Sequence, residues 1–131
     1  MYLLDTDTMI YHLKGHASVK SNLEKHINDS IRITSITLME LYYGAYKSKK
    51  VAANLAKVRT IEKSLDVVTP GPESTEIFGM LKAQLERQGE PLSDLDLIIA
   101  ACALAHNLIL VTNNTKHFSR IPGLKLENWS E

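Results

Sequence analysis

A chain of 131 residues with 44% apolar, 23% charged and only 6% aromatic side chains has the make-up of one globular domain, residues 1–131. It is large enough to bury a core without disulfides or a structural metal, and disorder or a repeat fibre is excluded. Fifteen basic residues balance fifteen acidic ones, so bulk charge gives no nucleic-acid coat and any such contact falls to local patches.

Tyr2 to Leu4 is a short apolar run that predicts a buried first strand, followed by a helix entered at Thr8. His16 to Ile27 is patterned as a helix. Ile31 to Thr34 alternates and is rich in β-branched residues, which predicts a second strand. Thr37 to Tyr46 and Val51 to Ser64 read as two further helices. Asp66 to Thr69 supplies a third strand, stopped by Pro70-Gly71-Pro72. Ser74 to Gln88 sets Ile77, Phe78, Leu81 and Leu85 on one stripe, between a proline start and a glycine stop. Leu95 to Ala105 is apolar nearly all round, the pattern of a helix buried within a core. Leu108 to Thr112 is the clearest strand, and Leu124 to Leu126 a weak last one. Strands alternating with helices imply βαβ units, an α/β fold and a mostly parallel sheet of four to five strands. The C-terminal strand ends then share one edge, where such sheets bind ligands.

Four acidic positions gather towards that edge. Asp5 ends the first strand. Glu40 lies one turn beyond the second. Asp94 and Asp96 open the buried helix, and Asn114 follows the strand ending at Thr112. Each acid taken singly has a capping explanation. Asp5 or Asp7 suits the cap of the first helix, while Thr37-Leu-Met-Glu40 and Ser93-Asp-Leu-Asp96 fit the capping-box pattern. Taken together, they would repel one another unless a cation joined them. Oxygen ligands without a cysteine or histidine cluster point to Mg²⁺, with Mn²⁺ as the alternative, and not to zinc. Residues two apart on a helix diverge by about 200°, so only one of Asp94 and Asp96 faces such a site squarely. The same reasoning separates Asp5 from Asp7.

Other chemistry is less well supported. His12, His16, His26, His106 and His117 show no ligand spacing, and His106 at a helix end suits the helix dipole. There is no glycine-rich phosphate loop and no nucleophile elbow. Cys102, alone in an apolar run, reads as a buried inert thiol. Lys47, Lys49, Lys50, Lys57, Arg59 and Lys63 form either a solvated helix face or a basic patch. The first residues lack the pattern of a signal peptide and no apolar run reaches membrane-spanning length, so the expectation is a cytoplasmic protein with no membrane contact.

Four blocks resemble the PIN-domain ribonucleases, specifically the VapC-type toxins of bacterial and archaeal toxin–antitoxin pairs. They are Leu3-Leu-Asp5-Thr, Ser35-Ile-Thr-Leu-Met-Glu40-Leu-Tyr-Tyr-Gly44, Pro91-Leu-Ser-Asp-Leu-Asp96-Leu-Ile-Ile-Ala100, and Leu110-Val-Thr-Asn-Asn114-Thr-Lys-His-Phe118-Ser-Arg-Ile-Pro-Gly123-Leu closing on Glu127-Asn-Trp129. Each block is weakly specific alone; their order and separations over nearly the whole chain are specific. The resemblance implies a PIN-like three-layer α/β/α domain. It places the family's acids on Asp5, Glu40 and Asp96, with Asp94 and Asp7 as auxiliaries. Asn114 stands where related domains often carry aspartate, which favours one firmly held metal over two.

The activity so implied is an Mg²⁺-dependent endoribonuclease, the toxin of a VapBC-type module. Asp5 and Asp96 would hold the metal, with Glu40 as a further ligand or bound through water, and a metal-activated water would attack phosphorus as the ribose 3′ oxygen leaves. Thr6, Thr112 and Asn114 would orient water or carboxylates. Lys116, Arg120, Lys47 and Lys49 are candidate RNA contacts. The resemblance also implies a cognate VapB-type antitoxin, a homodimer, and a transfer-RNA or ribosomal-RNA substrate. Two other readings stay open. Asp5-Thr-Asp7-Thr8 matches the start of haloacid-dehalogenase-type phosphatases, with Asp5 as nucleophile, and a PIN domain that only binds RNA or a partner is the third possibility.

Overall fold

In a computed structural model describing residues 1–131, the chain runs β1 (Tyr2–Leu4), α1 (Thr6–Leu13), α2 (Ala17–Lys25), β2 (Ile31–Thr34), α3 (Ser35–Tyr46), α4 (Val51–Ser64), β3 (Asp66–Val68), α5 (Pro72–Arg87), α6 (Asp94–Ala105), β4 (Ile109–Val111), α7 (Thr115–Phe118) and β5 (Leu126–Glu127). The five strands form one sheet in the order β3-β2-β1-β4-β5. Every neighbouring pair is parallel, with Leu3 opposite Arg32 on one side and Leu110 on the other.

Alternation along each strand divides the apolar side chains between two layers of helix. Tyr2, Leu4, Ile33 and Val111 join a core with Met9 of α1, Leu38 and Leu41 of α3, and Leu55, Val58 and Ile61 of α4. Leu3, Val68 and Leu110 point the other way, into a core with Leu81 and Leu85 of α5 and Leu97, Ala100 and Ala103 of α6. Helices therefore cover both faces, which gives three layers, α/β/α. Fully burying one leucine such as Leu3 or Leu110 contributes about 1.5–3 kcal/mol, so a one-residue slip of register would be heavily penalised. α6 is buried as its composition predicts. Ala100, Ala101, Cys102 and Ala103 are small enough for it to pack on both α5 and α3.

The chain builds outward from β1 through β2 to β3, then returns to place β4 on the other side of β1. The direction of winding reverses between β1 and β4, and a crevice opens there at the C-terminal strand ends.

Several boundaries differ from the sequence pattern for local reasons. α1 begins at Thr6, not Thr8, because Asp5 caps it. α3 begins at Ser35 and not Thr37: β2 passes straight into it, with Thr34 as its cap. α5 begins at Pro72 and α6 at Asp94. The last strand is Leu126–Glu127, displaced from 124–126 by a turn that ends with Gly123 at φ +78° and Leu124 N–H bonded to the Ile121 carbonyl. The short α7 has no apolar periodicity to announce it.

Candidate active site

β1 is too short to do more than deliver Asp5. The Asp5 amide donates to the Val111 carbonyl (3.0 Å), continuing the β1–β4 ladder by one residue. Its carboxylate then caps α1, accepting from the Thr8 amide at 2.9 Å. Asp5 is only 5% exposed. Burial raises its pKa above the ordinary carboxylate range; the Thr112 hydroxyl and the Thr8 amide and hydroxyl pull it back down, and the nearby charge of Asp7 adds to the rise. No lysine or arginine figures among these influences. A buried carboxylate here has hydrogen-bond donors but no counter-charge.

Glu40 lies in the second turn of α3, because the helix starts earlier than the Thr37-x-x-Glu pattern suggests. The capping-box role for Glu40 is therefore corrected: Thr34 is the cap, and its hydroxyl accepts from the Thr37 amide at 3.0 Å. Glu40 is instead held from the side, where the Thr6 hydroxyl donates to its Oε1 at 2.7 Å. Thr6 is the neighbour of Asp5, so this bond ties the β1 and β2 strand ends together.

The two acids of α6 diverge. Ser93 caps the helix through the Asp96 amide (3.2 Å), and the carboxylate of Asp96 has no protein hydrogen bond. Asp94, two residues earlier, reaches Lys82 of α5 at 3.0 Å, which raises the lysine pKa through that hydrogen bond and charge. Asp94 is thus engaged by α5, and Asp96 is the unpartnered member of the pair. Asp7 is exposed and acts on Asp5 through its charge.

At the end of β4, Thr112 is fully buried. Its hydroxyl accepts from the Asn114 amide at 2.9 Å. The Asn114 side chain turns to His117, Nδ2 to Nδ1 3.0 Å, so its amide nitrogen is engaged within α7. Of the basic candidates, Lys116 is exposed. Arg120 is partnered within the chain: it pairs with Glu90 (3.4 Å) and donates to the Glu90 and Pro91 carbonyls (3.4 and 3.3 Å), bracing the loop that leads into α6. Lys47 lies over the Tyr43 ring, 4.9 Å from its centroid. It also lines a cleft of about 620 Å³ with Glu40, Lys14 and Lys57, walled by Ile10, Leu13, Leu41 and Val58. Lys49 is exposed and outside this cleft. A second cleft, of about 540 Å³, opens near Ile31 and Asp66, at the opposite edge of the sheet from Asp5.

The donor set at the edge is made of hard oxygens, which suits a divalent cation such as Mg²⁺, and Asp5 is buried there without a counter-charge. No three His, Cys, Asp or Glu side chains stand close enough together to enclose an ion as they are. Two residues the sequence reading did not place at the site are Thr34 and Thr37, whose hydroxyls join Thr6 (Thr37 to Thr6, 3.0 Å; Thr34 to Thr37, 3.4 Å). The Thr-x-x-Thr spacing at the end of β2 was their signal, since it also fits a cap one turn earlier.

Residues 2–124 match the PIN domain family model. The ribonuclease VapC2 of Rickettsia felis is 41% identical over the whole chain and 99% of its own length. The tRNA(fMet)-specific endonuclease VapC of Shigella flexneri is 38% identical, covering 98% of each chain. Among solved structures, the VapBC2 complex of Rickettsia felis bound to a promoter DNA fragment superposes with a TM-score of 0.91 at 41% identity over 98% of each chain. The DNA-bound VapBC of Salmonella typhimurium superposes equally well at 36% identity, over 98% of this chain and 97% of that one. These likenesses set aside the dehalogenase-type reading of Asp5-Thr-Asp7-Thr8: the chain belongs to the PIN-domain family and groups within it with the VapC ribonucleases.

Proposed function

We propose that this protein is a divalent-metal-dependent endoribonuclease, the toxin of a VapBC-type toxin–antitoxin module. The observation that carries the reading is the state of Asp5. It is a carboxylate buried at the switch point of a parallel sheet, with a raised pKa and no cation of the chain to offset it. Such a group costs stability and is retained where a site needs it. Asp5, Glu40 and Asp96 would hold Mg²⁺ or Mn²⁺. When bound, the metal lowers the pKa of a water and offsets charge on the phosphate.

The chain's own residues supply orientation. Thr8 and Thr112 fix the Asp5 carboxylate, Thr6 holds Glu40 by one oxygen, and Ser93 sets the first turn of α6 beneath Asp96. The cleft beside Glu40, with Lys14, Lys47 and Lys57 on its walls, offers an anionic strand a path to the site despite the zero net charge. The relative from Shigella flexneri is named for transfer RNA, and we take transfer RNA as the first substrate to test, with ribosomal RNA as the second. The partner is a VapB-type antitoxin, as in the complexes that superpose on this chain, and the toxin is a homodimer. No helix is long and apolar enough to cross a membrane.

The test is incubation of purified protein with total RNA and Mg²⁺, with and without EDTA, beside Asp5→Asn and Asp96→Asn. Cleavage that needs the metal and is lost in both folded variants is expected. Metal-independent cleavage, or full activity in either variant, would overturn the reading.

A further inference from the structure

Three buried threonines that belong to no part of the metal set form a single chain of hydroxyls ending on Glu40. Thr34 and Thr37 are fully buried and Thr6 nearly so. The links run from the Thr34 hydroxyl to that of Thr37 (3.4 Å), from Thr37 to Thr6 (3.0 Å) and from Thr6 to Glu40 Oε1 (2.7 Å).

Proton counting fixes the direction of this chain. A threonine hydroxyl has one proton to donate, and an ionised carboxylate only accepts. The proton of Thr6 goes to Glu40. The bond between Thr6 and Thr37 must then be donated by Thr37, although its geometry alone allows either sense. Thr37 having given its proton, the last bond must come from Thr34. Three protons serve three bonds, all aimed at Glu40. At the far end, the Thr34 oxygen accepts the Thr37 amide, 3.0 Å away, which is the cap of α3. The positive end of that helix and a run of aligned hydroxyls therefore polarise one another in a buried setting, where such chains strengthen cooperatively.

The consequence lies in what Glu40 is left to do. Its Oε1 is committed to Thr6 and its Oε2 has no protein partner. The Thr37 hydroxyl bonds the same Thr6 oxygen that donates to Glu40, so it helps to set the rotor that aims the Thr6 proton. Thr37 is on the same helix as Glu40 but one turn earlier, and it reaches the carboxylate only through α1.

We propose that Thr37 is a positioning residue of the active site, acting through Thr6 to hold Glu40 by one oxygen and present the other to the metal. This rests on the ribonuclease reading above, and its test separates the two. Thr37→Val keeps the shape and the cap amide but removes the donor; Thr37→Ser restores it. Mn²⁺ affinity is read from the electron-spin-resonance signal of the free ion. Thr37→Val should bind Mn²⁺ about tenfold more weakly, lower kcat on RNA with KM nearly unchanged, and leave the fold intact by circular dichroism. Thr37→Ser should recover to within about twofold of the unsubstituted protein. In a Glu40→Ala background the valine change should have no further effect on Mn²⁺ binding, because its route is gone. A metal-free readout stands beside these: scalar couplings should show one side-chain rotamer for Glu40, averaged in Thr37→Val and single again in Thr37→Ser. An unchanged rotamer in Thr37→Val, no rescue by serine, or an equal loss in the Glu40→Ala background would each overturn the proposal. Failure of the unsubstituted protein to cut RNA would instead sink the ribonuclease reading, and the rotamer measurement would still decide the role of Thr37.

Discussion

Asp5→Asn should stabilise the metal-free protein while abolishing its activity. Asparagine caps a helix about as well as aspartate, so the bond from the Thr8 amide at 2.9 Å survives the change. What is lost is a buried charge that no lysine or arginine offsets. Relieving a functional site of this kind commonly contributes about 0.5–2 kcal/mol. For 131 residues, unfolding entropies of about 2.1 cal/mol/K per residue make 1 kcal/mol equal to roughly 3–4 °C in Tm. A rise of about 2–7 °C is therefore expected in EDTA at neutral pH. The pH dependence has a definite sign. A raised pKa means that the folded state holds the Asp5 proton more tightly than the unfolded chain does, so folding is favoured at low pH. That contribution fades as pH rises from the ordinary aspartate value through the raised one. The gap between Asp5→Asn and the unsubstituted protein should open over that window and stay open above it. Saturating Mg²⁺ or Mn²⁺ should reverse the order: at a hundred times Kd a ligand adds about 2.7 kcal/mol, and most of this should be missing in the variant. Thermal melts from pH 4 to 8, with EDTA and with metal, read all of this. A variant less stable than the unsubstituted protein in EDTA, or a gap that does not change with pH, would refute the buried-charge argument.

Thr6→Val removes a donor to a charged acceptor; a loss of about 1.5–3 kcal/mol should appear as a fall in kcat of roughly tenfold to a hundredfold in an RNA cleavage assay. Asp94→Asn should leave cleavage within about twofold and Tm within about 2 °C, because the Lys82 pair it breaks is exposed; a larger loss of activity would give Asp94 a part in the site beyond its pairing with Lys82. Trp129→Ala should lower stability by about 3–5 kcal/mol in urea unfolding. Trp129 is 2% exposed, stacks on His26 at 4.8 Å between ring centroids, and donates to Glu127 at 3.0 Å, so it fastens the end of the chain beneath β1.

The fold was largely legible because its signals are local. Tyr2 to Leu4, Ile31 to Thr34 and the apolar run of α6 declare themselves by composition, and alternation of strand with helix fixes a parallel sheet. Element ends were less legible, and for one reason: a cap and a catalytic acid use the same residue types. Asp5 caps α1 and is also the acid proposed for the site, so its capping reading and its functional reading are not alternatives. Thr37-x-x-Glu40 looked like a capping box, and the true cap was three residues earlier, because β2 enters α3 without a loop. That register sets Glu40 one turn further along the helix, where capping no longer explains it.

Partnership was the part the sequence could not supply. Asp94 and Asp96 differ by two positions and by little else in the chain, yet Lys82 on α5 takes one and leaves the other. Arg120 is as basic as Lys116, but a loop 30 residues away engages its guanidinium. Such choices depend on which helix packs against which, a long-range property that periodicity does not encode. The same is true of the threonine chain. Thr6 and Thr37 are 31 residues apart and meet only because β1 and β2 are neighbours whose following helices start at the same edge. The acids carry the chemistry proposed for the site. The threonines proposed to aim those acids cannot be told from caps until the sheet order is known. In a fold of this kind, then, positioning residues should be sought at the caps of helices that follow adjacent parallel strands, because the fold itself draws those caps together.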